Sequence, residues 1–223
     1  MYADLDPQPI VNVRRRQARS AETRERIIEA AIHEFAHGGF DGATTRSIAQ
    51  RAQVKHALII YHFETKAGLW QAAVRSVIGT FEKTFLARMA GLRGVDDVIK
   101  LRLLQIDFIH FAAERPELHW LMSHDAGDNG SRIDWVVENL LRPNFHIWEE
   151  LITSAQRSGR YIQGDPMHLH YLFLGAAVRV FMTSREVEIV LGRSPFDPVF
   201  VEEHIRLVQA MFYRNDPAPA SVT

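Results

Sequence analysis

The 223-residue chain contains no cysteine, which excludes disulfide cross-links, thiolate metal sites and thiol nucleophiles together. It has no apolar run approaching the roughly 20 residues that a membrane-spanning helix needs. Its first residues, Met-Tyr-Ala-Asp-Leu-Asp-Pro, lack the basic and then apolar opening of a secretion signal. A soluble cytoplasmic protein with no membrane association is therefore expected. Neither charge sign dominates: 26 Lys/Arg face 27 Asp/Glu, which excludes a wholly basic polyanion-packaging chain. Sustained two-residue alternation is also missing, so the fold class read from the pattern is all-α. Internal repeats and low-complexity tracts are absent.

The 47% hydrophobic content is ample for a core, and charge is distributed unevenly along the chain. Residues 11–63 hold nine Lys/Arg against five Asp/Glu, an excess of +4, whereas the rest is mildly acidic. This pattern suits a small basic module ahead of a larger acidic one. We expect a flexible basic arm over residues 1–19, a first domain over 20–66, a second over 67–216 and a disordered Pro/Ala tail over 217–223.

Helical periodicity supports that organisation. Ile27, Ile28, Ala31, Ile32 and Phe35 share one side of a helix over 21–37, stopped by Gly38-Gly39. Thr44 can cap a second helix ending at Arg51, and a third, short helix covers about 55–62. Thr65-Lys66 opens a long helix carrying Leu69, Ala73, Val77, Phe81 and Phe85. Further helices are expected near 95–113, 116–124, 131–158, 166–192 and 198–214, separated by Gly and Pro.

The stretch TTRSIAQRAQVKHALIIYHFETK, residues 44–66, is the most informative. It offers two short helices joined by a tight turn, a small residue at Ala49 where they cross, and Ile48, Val54 and Ile59 to hold them. Those are the physical requirements of a helix-turn-helix. With RERIIEAAIHEFAHGGFDGA before it and AGLW after it, the segment resembles the N-terminal domain of the TetR/AcrR family of transcriptional regulators. The resemblance covers residues 24–70. It implies double-stranded operator DNA as a partner, with phosphate contacts from Thr45, Tyr61, His62 and Lys66. Base or backbone contacts are implied for Arg46, Lys55, His56 and Ala57. Two positions depart from the family pattern. Gln53 replaces the usual turn glycine, so a non-glycine residue should adopt a left-handed backbone there. Ile60 replaces a frequent tyrosine, leaving Tyr61 as the principal aromatic donor.

A competing motif overlaps the first helix. His33-Glu34-Phe35-Ala36-His37 reads H-E-x-x-H, in which two histidines one turn apart could hold zinc while the glutamate activates water. That makes a zinc-dependent hydrolase the alternative function. Against it, both histidines lie away from the buried Phe35 side and the helix ends at once, so no metal and no catalytic residue is assigned. A metal held by His110, His119, His124 and Asp125 is also conceivable, though disfavoured.

Residues 67–216 show no nucleophile–base signature, phosphate loop or paired carboxylates, so no enzyme activity and no cofactor are expected. Aromatic residues are plentiful. A pocket lined by Phe108, Phe111, Trp120, Trp135, Trp148 and Phe173, with His124 and Asn139 as polar groups, would take an apolar or aromatic effector. The final helices carry a wide apolar stripe including Leu172, Ala176, Val180, Val208, Met211 and Phe212. From the residues alone, burial within a monomeric bundle is an equal reading; the family resemblance implies that this stripe forms a homodimer interface, and that the protein is a ligand-released repressor on a pseudo-palindromic operator.

Overall fold

The computed structural model describes residues 8–125 and 131–214, with only the backbone described for 8–14, 123–125 and 131. The tail expected over 217–223 lies outside the described residues. The chain divides into two compact units, one ending at Ser76 and the other starting at Val77.

The first unit contains α1 (Gln8–Gly42), α2 (Thr45–Arg51), α3 (His56–Phe63) and the start of α4 (Lys66–Gly91). The first helix begins earlier than expected: residues 8–19, read as an arm, are helical. Gly39, at φ 65°, interrupts α1 where the Gly38-Gly39 pair was expected to stop it. Ile27, Ile28, Ala31, Ile32 and Phe35 are buried as their spacing requires, with Ile48, Ala49, Ile59 and Phe63 from the next two helices. Phe40 stacks on Phe35 at 6.0 Å and meets Trp70 edge-on at 6.5 Å. Leu69, Trp70, Ala73 and Val74 of α4 are also fully covered, which explains why the unit ends at Ser76 rather than Lys66.

The second unit adds α5 (Asp97–Glu114), α6 (Glu117–Asp125), α7 (Ser131–Val136), α8 (Arg142–Arg157), α9 (Pro166–Met182), α10 (Ser184–Leu191) and α11 (Pro198–Phe212). A π-turn over Val137–Leu141 joins α7 to α8, so the helix expected over 131–158 is continuous but locally unwound. The helix expected over 166–192 is instead broken at Thr183. The helices α5, α8, α9 and α11 form the bundle, α5 packing on the other three and α9 on α8 and α11. Its core includes Leu101, Leu104, Ile109, Ile152, Phe173 and Phe181. Gln105 is buried within that core: its Nε2 donates to the Tyr161 hydroxyl at 3.1 Å, and its Oε1 accepts from the Tyr213 hydroxyl at 3.0 Å. Burial pushes the Tyr161 hydroxyl up to about 12, keeping it a neutral hydrogen-bonding group. Among the described residues, no helix is long and apolar enough to cross a membrane, and Tyr161–Tyr213 is an isolated bridge rather than part of a strand.

Candidate nucleic-acid interface and ligand cavity

Local hydrogen bonding fixes the helix-turn-helix. Thr44 Oγ1 accepts from Ser47 N at 3.0 Å and Ser47 Oγ accepts from Thr44 N at 3.3 Å, a reciprocal cap at the start of α2. In the turn, Gln53 sits at φ 54°, the left-handed conformation expected where glycine is missing. Arg26 of α1 donates through Nη2 to Ala52 O at 2.6 Å and to Gln53 O at 3.2 Å. These carbonyls lie at the C-terminal end of α2, where helical partners run out and a cation is favoured. Sequence reasoning missed Arg26, whose role depends on a partner 26 residues away.

The turn gives a stability prediction. Gln53→Gly removes a left-handed penalty of about 1–2 kcal/mol, partly offset by about 0.5–1 kcal/mol of extra unfolded-chain entropy. A net gain of about 0.5 kcal/mol is expected, whereas Arg26→Ala should lose about 2 kcal/mol through two charge-assisted bonds. Urea titration of both variants checks this; a less stable Gln53→Gly would show that the side chain is needed for more than its backbone conformation.

At the far end of α3, Glu64 adopts φ 63°, ψ −54°, and Thr65 N donates to Phe63 O at 2.6 Å, forming a strained γ-turn. Gly68 is required beside it, because a Cβ there would stand 2.5 Å from Phe63 O. Between these fixed ends, α3 buries Ile59 and Phe63 and exposes His56, Ala57, Ile60 and Tyr61, with Lys55 exposed at its start. Tyr61 is 76% exposed, so its hydroxyl projects from the surface. Arg46 is also exposed, and Thr45 Oγ1 shares a 2.9 Å hydrogen bond with His56 Nε2, linking α2 to the start of α3. His62 is half-buried. Lys66 is held inward: its ammonium lies 4.6 Å from the Phe40 ring centroid and donates to Asp41 O at 3.4 Å.

The H-E-x-x-H residues have different local partners. Glu34 accepts from Arg51 Nε at 2.7 Å, and that guanidinium holds its carboxyl below the ordinary range. His37 Nδ1 donates to His33 O at 2.8 Å, and the two rings stack at 4.1 Å. Glu34 therefore ties α1 to α2, and no cluster of three possible metal ligands occurs among the described residues. The zinc-hydrolase reading finds no support here.

The second unit encloses a cavity of about 280 Å³. Phe81 and Phe85 of α4, Phe108 of α5, His119 of α6, Trp148 of α8 and His170 of α9 form much of its wall. Of the expected lining residues whose side chains are described, Phe108 and Trp148 are present, and Phe111, Trp120, Trp135, Asn139 and Phe173 lie elsewhere. Phe173 is fully buried behind Phe108, with ring centroids 5.8 Å apart, and Phe111 packs on Phe81 at 5.1 Å. Trp120 Nε1 donates to Met182 O at 3.2 Å, and exposed Asn139 donates through Nδ2 to Trp135 O at 2.8 Å. The side chain of His124 is outside the described residues. Straight helical counting fails here because the π-turn inserts a residue and brings Leu140 and Leu141 to the cavity in place of Asn139.

The cavity's polar groups are Glu82, Asn144, His119, His170 and Tyr171, of which only His119 was considered from sequence, as a metal ligand. Burial lowers His119 and His170 each to about 4, so both are neutral at pH 7. His170 had a readable signal: it occupies the inward series 170, 173, 177, 181 of α9.

The expected dimer stripe separates into two faces. Val208 and Phe212 are buried with Ile205 in the unit's own core and are corrected to core residues. Leu172 and Met211 are 52% and 62% exposed, with Val199 and Leu207 also uncovered on α11, while Ala176 and Val180 are half-buried. The reason is helical phase: 205, 208 and 212 point inward, whereas 207 and 211 lie on the other side.

Residues 27–73 match the family described as bacterial regulatory proteins, tetR family. The chain is 31% identical over 97 residues to the uncharacterized HTH-type transcriptional regulator TtgW of Pseudomonas putida, spanning 44% of this chain and 70% of that one. It belongs to the TetR family. Similarity to the HTH-type transcriptional regulator RutR of Escherichia coli (strain K12) runs further, at 24% identity over 199 residues, 88% of this chain and 91% of RutR. A crystal structure of AibR in complex with isovaleryl coenzyme A and operator DNA shares the fold, with a TM-score of 0.70 and 17% identity, covering 86% of this chain and 98% of AibR. This TetR-family chain is thus a DNA-binding transcriptional regulator, and α2 and α3 form its helix-turn-helix.

Proposed function

We propose that the protein is a homodimeric repressor that holds a pseudo-palindromic operator and releases it when a small apolar or aromatic molecule fills the cavity. It has no catalytic role in this reading. The observation that carries the proposal is the exposed face of α3, held between the Arg26-supported turn and the strained turn at Glu64. Lys55, His56, Ala57 and Arg46 would face base edges or nearby backbone, with Thr45, Tyr61 and His62 at phosphates. Lys66 would reach a phosphate only by leaving Phe40. The AibR complex, holding both a small molecule and operator DNA, supports a fold able to serve both ligands. Coupling requires that the effector bind the operator-free state more tightly than the operator-bound one.

Selection of bound sequences from random duplex DNA, followed by gel shift on the selected site, tests this reading. Lys55→Ala should weaken binding about tenfold and relax base preference, consistent with loss of about 1–3 kcal/mol at one base contact. Tyr61→Phe should weaken all sequences alike by removing a neutral phosphate contact. If both variants bind like the parent, α3 does not enter the groove by this face.

A further inference from the structure

Charge in the cavity narrows the effector class. Among the described lining residues, Glu82 is the one acidic side chain, neither Lys nor Arg is present, and both histidines are neutral. Its Oε1 accepts from Asn144 Nδ2 at 3.2 Å, which positions the carboxylate and leaves Oε2 without a protein partner among the described residues. His170 is only 4% exposed and its Nδ1 has no hydrogen-bond partner; His119 Nε2 is likewise unsatisfied. A buried imidazole nitrogen in that condition favours a ligand able to complete its hydrogen bonding.

These observations discriminate between ligand charges. An anion would meet Glu82 with no compensating cation among the described lining residues. A neutral apolar molecule would displace water from the carboxylate without replacing its interactions. A cation would pair with Glu82 and lie among the faces of Phe81, Phe85, Phe145 and Trp148, whose ring quadrupoles attract positive charge.

We propose that the cavity takes a monocationic aryl-alkyl amine, its ammonium paired with Glu82 and its ring among the aromatic walls, with His170 Nδ1 available to a donor group of the same molecule. This assignment rests on the effector reading only in placing the physiological ligand in this cavity. Calorimetry on the full chain with 4-phenylbutylammonium, 4-phenylbutanol and 5-phenylpentanoate compares similar shapes with charges of +1, 0 and −1. The ammonium should bind at least tenfold more tightly than the alcohol, and the carboxylate most weakly. Glu82→Gln should abolish the ammonium's advantage while retaining alcohol binding, which shows that the cavity remains formed. Equal or tighter binding of alcohol or carboxylate to the parent, no binding of any probe, or an undiminished preference in Glu82→Gln would overturn the assignment. Gel shift on the selected operator separates the two readings. Ammonium binding without operator release leaves the charge assignment standing and overturns the effector role. Release by the carboxylate alone upholds that role and overturns the charge assignment.

Discussion

Replacing Leu172 and Met211 together by glutamate should convert the proposed dimer to a monomer and reduce operator affinity by about 10²–10⁴-fold, the scale of losing simultaneous engagement of two half-sites. Both residues are more than half exposed in the single chain, on helices that pack together through other side chains. Leu207 and Val199 add to the apolar surface that α11 leaves uncovered. Across a two-fold interface the substitutions would introduce four carboxylates, each requiring several kcal/mol of desolvation when unpaired. Because the sites are outside the unit's core, far-UV circular dichroism should retain its helical signal. Val208→Glu is the contrasting variant: its site is buried in the core and the change should unfold the second unit. Sedimentation provides the decisive measurement. An intact dimer for Leu172→Glu/Met211→Glu would place the interface on another surface.

The second large effect is loss of stability in mild acid. His170 and His119 have folded-state values near 4 against an ordinary value of 6.5, because burial disfavours their charged forms. Between those values the unfolded chain binds protons that the folded chain does not, so stability rises with pH. The contribution is fully present above about 6.5 and is lost as pH falls toward 4. For His170 the loss should be about 2 kcal/mol by pH 5 and about 3 kcal/mol across the window, with His119 adding a similar fall. Urea midpoints at about pH 7.5 and about pH 5 measure it, and His170→Phe should roughly halve the difference, His119 supplying the rest. A midpoint independent of pH in the parent would show that these rings accept protons without cost.

How much of this was readable in the sequence depended on the range of the interactions. The helix-turn-helix was legible because its determinants are local, a Thr44 cap and apolar residues one turn apart, while Gln53 stood out only against the family pattern that has glycine there. The early part of α1 was missed because residues 15–20 are wholly exposed and show no apolar stripe, although Arg, Gln and Ala are good helix formers. The break at Thr183 has neither Gly nor Pro to mark it. The cavity was least legible. Aromatic residues at helical spacing do not reveal whether they face one another or an open space, and the π-turn changed the phase of the segment that supplies Leu140 and Leu141. Core and outward faces were merged on α11 for a related reason: apolar residues at 205, 207, 208, 211 and 212 surround too much of the helix to identify one buried side.

The two bonds from Arg26 also define how this head can be transplanted. A chimera built by exchanging residues 44–64 alone would separate the Gln53 turn from the guanidinium that closes it and Arg51 from Glu34. The recipient would need an arginine and a glutamate at the matching points of its own first helix, or the graft would begin life with its reading head loosened. Cutting before Arg26 carries both ties with the insert, so the smallest portable specificity cassette is longer than the motif that touches DNA.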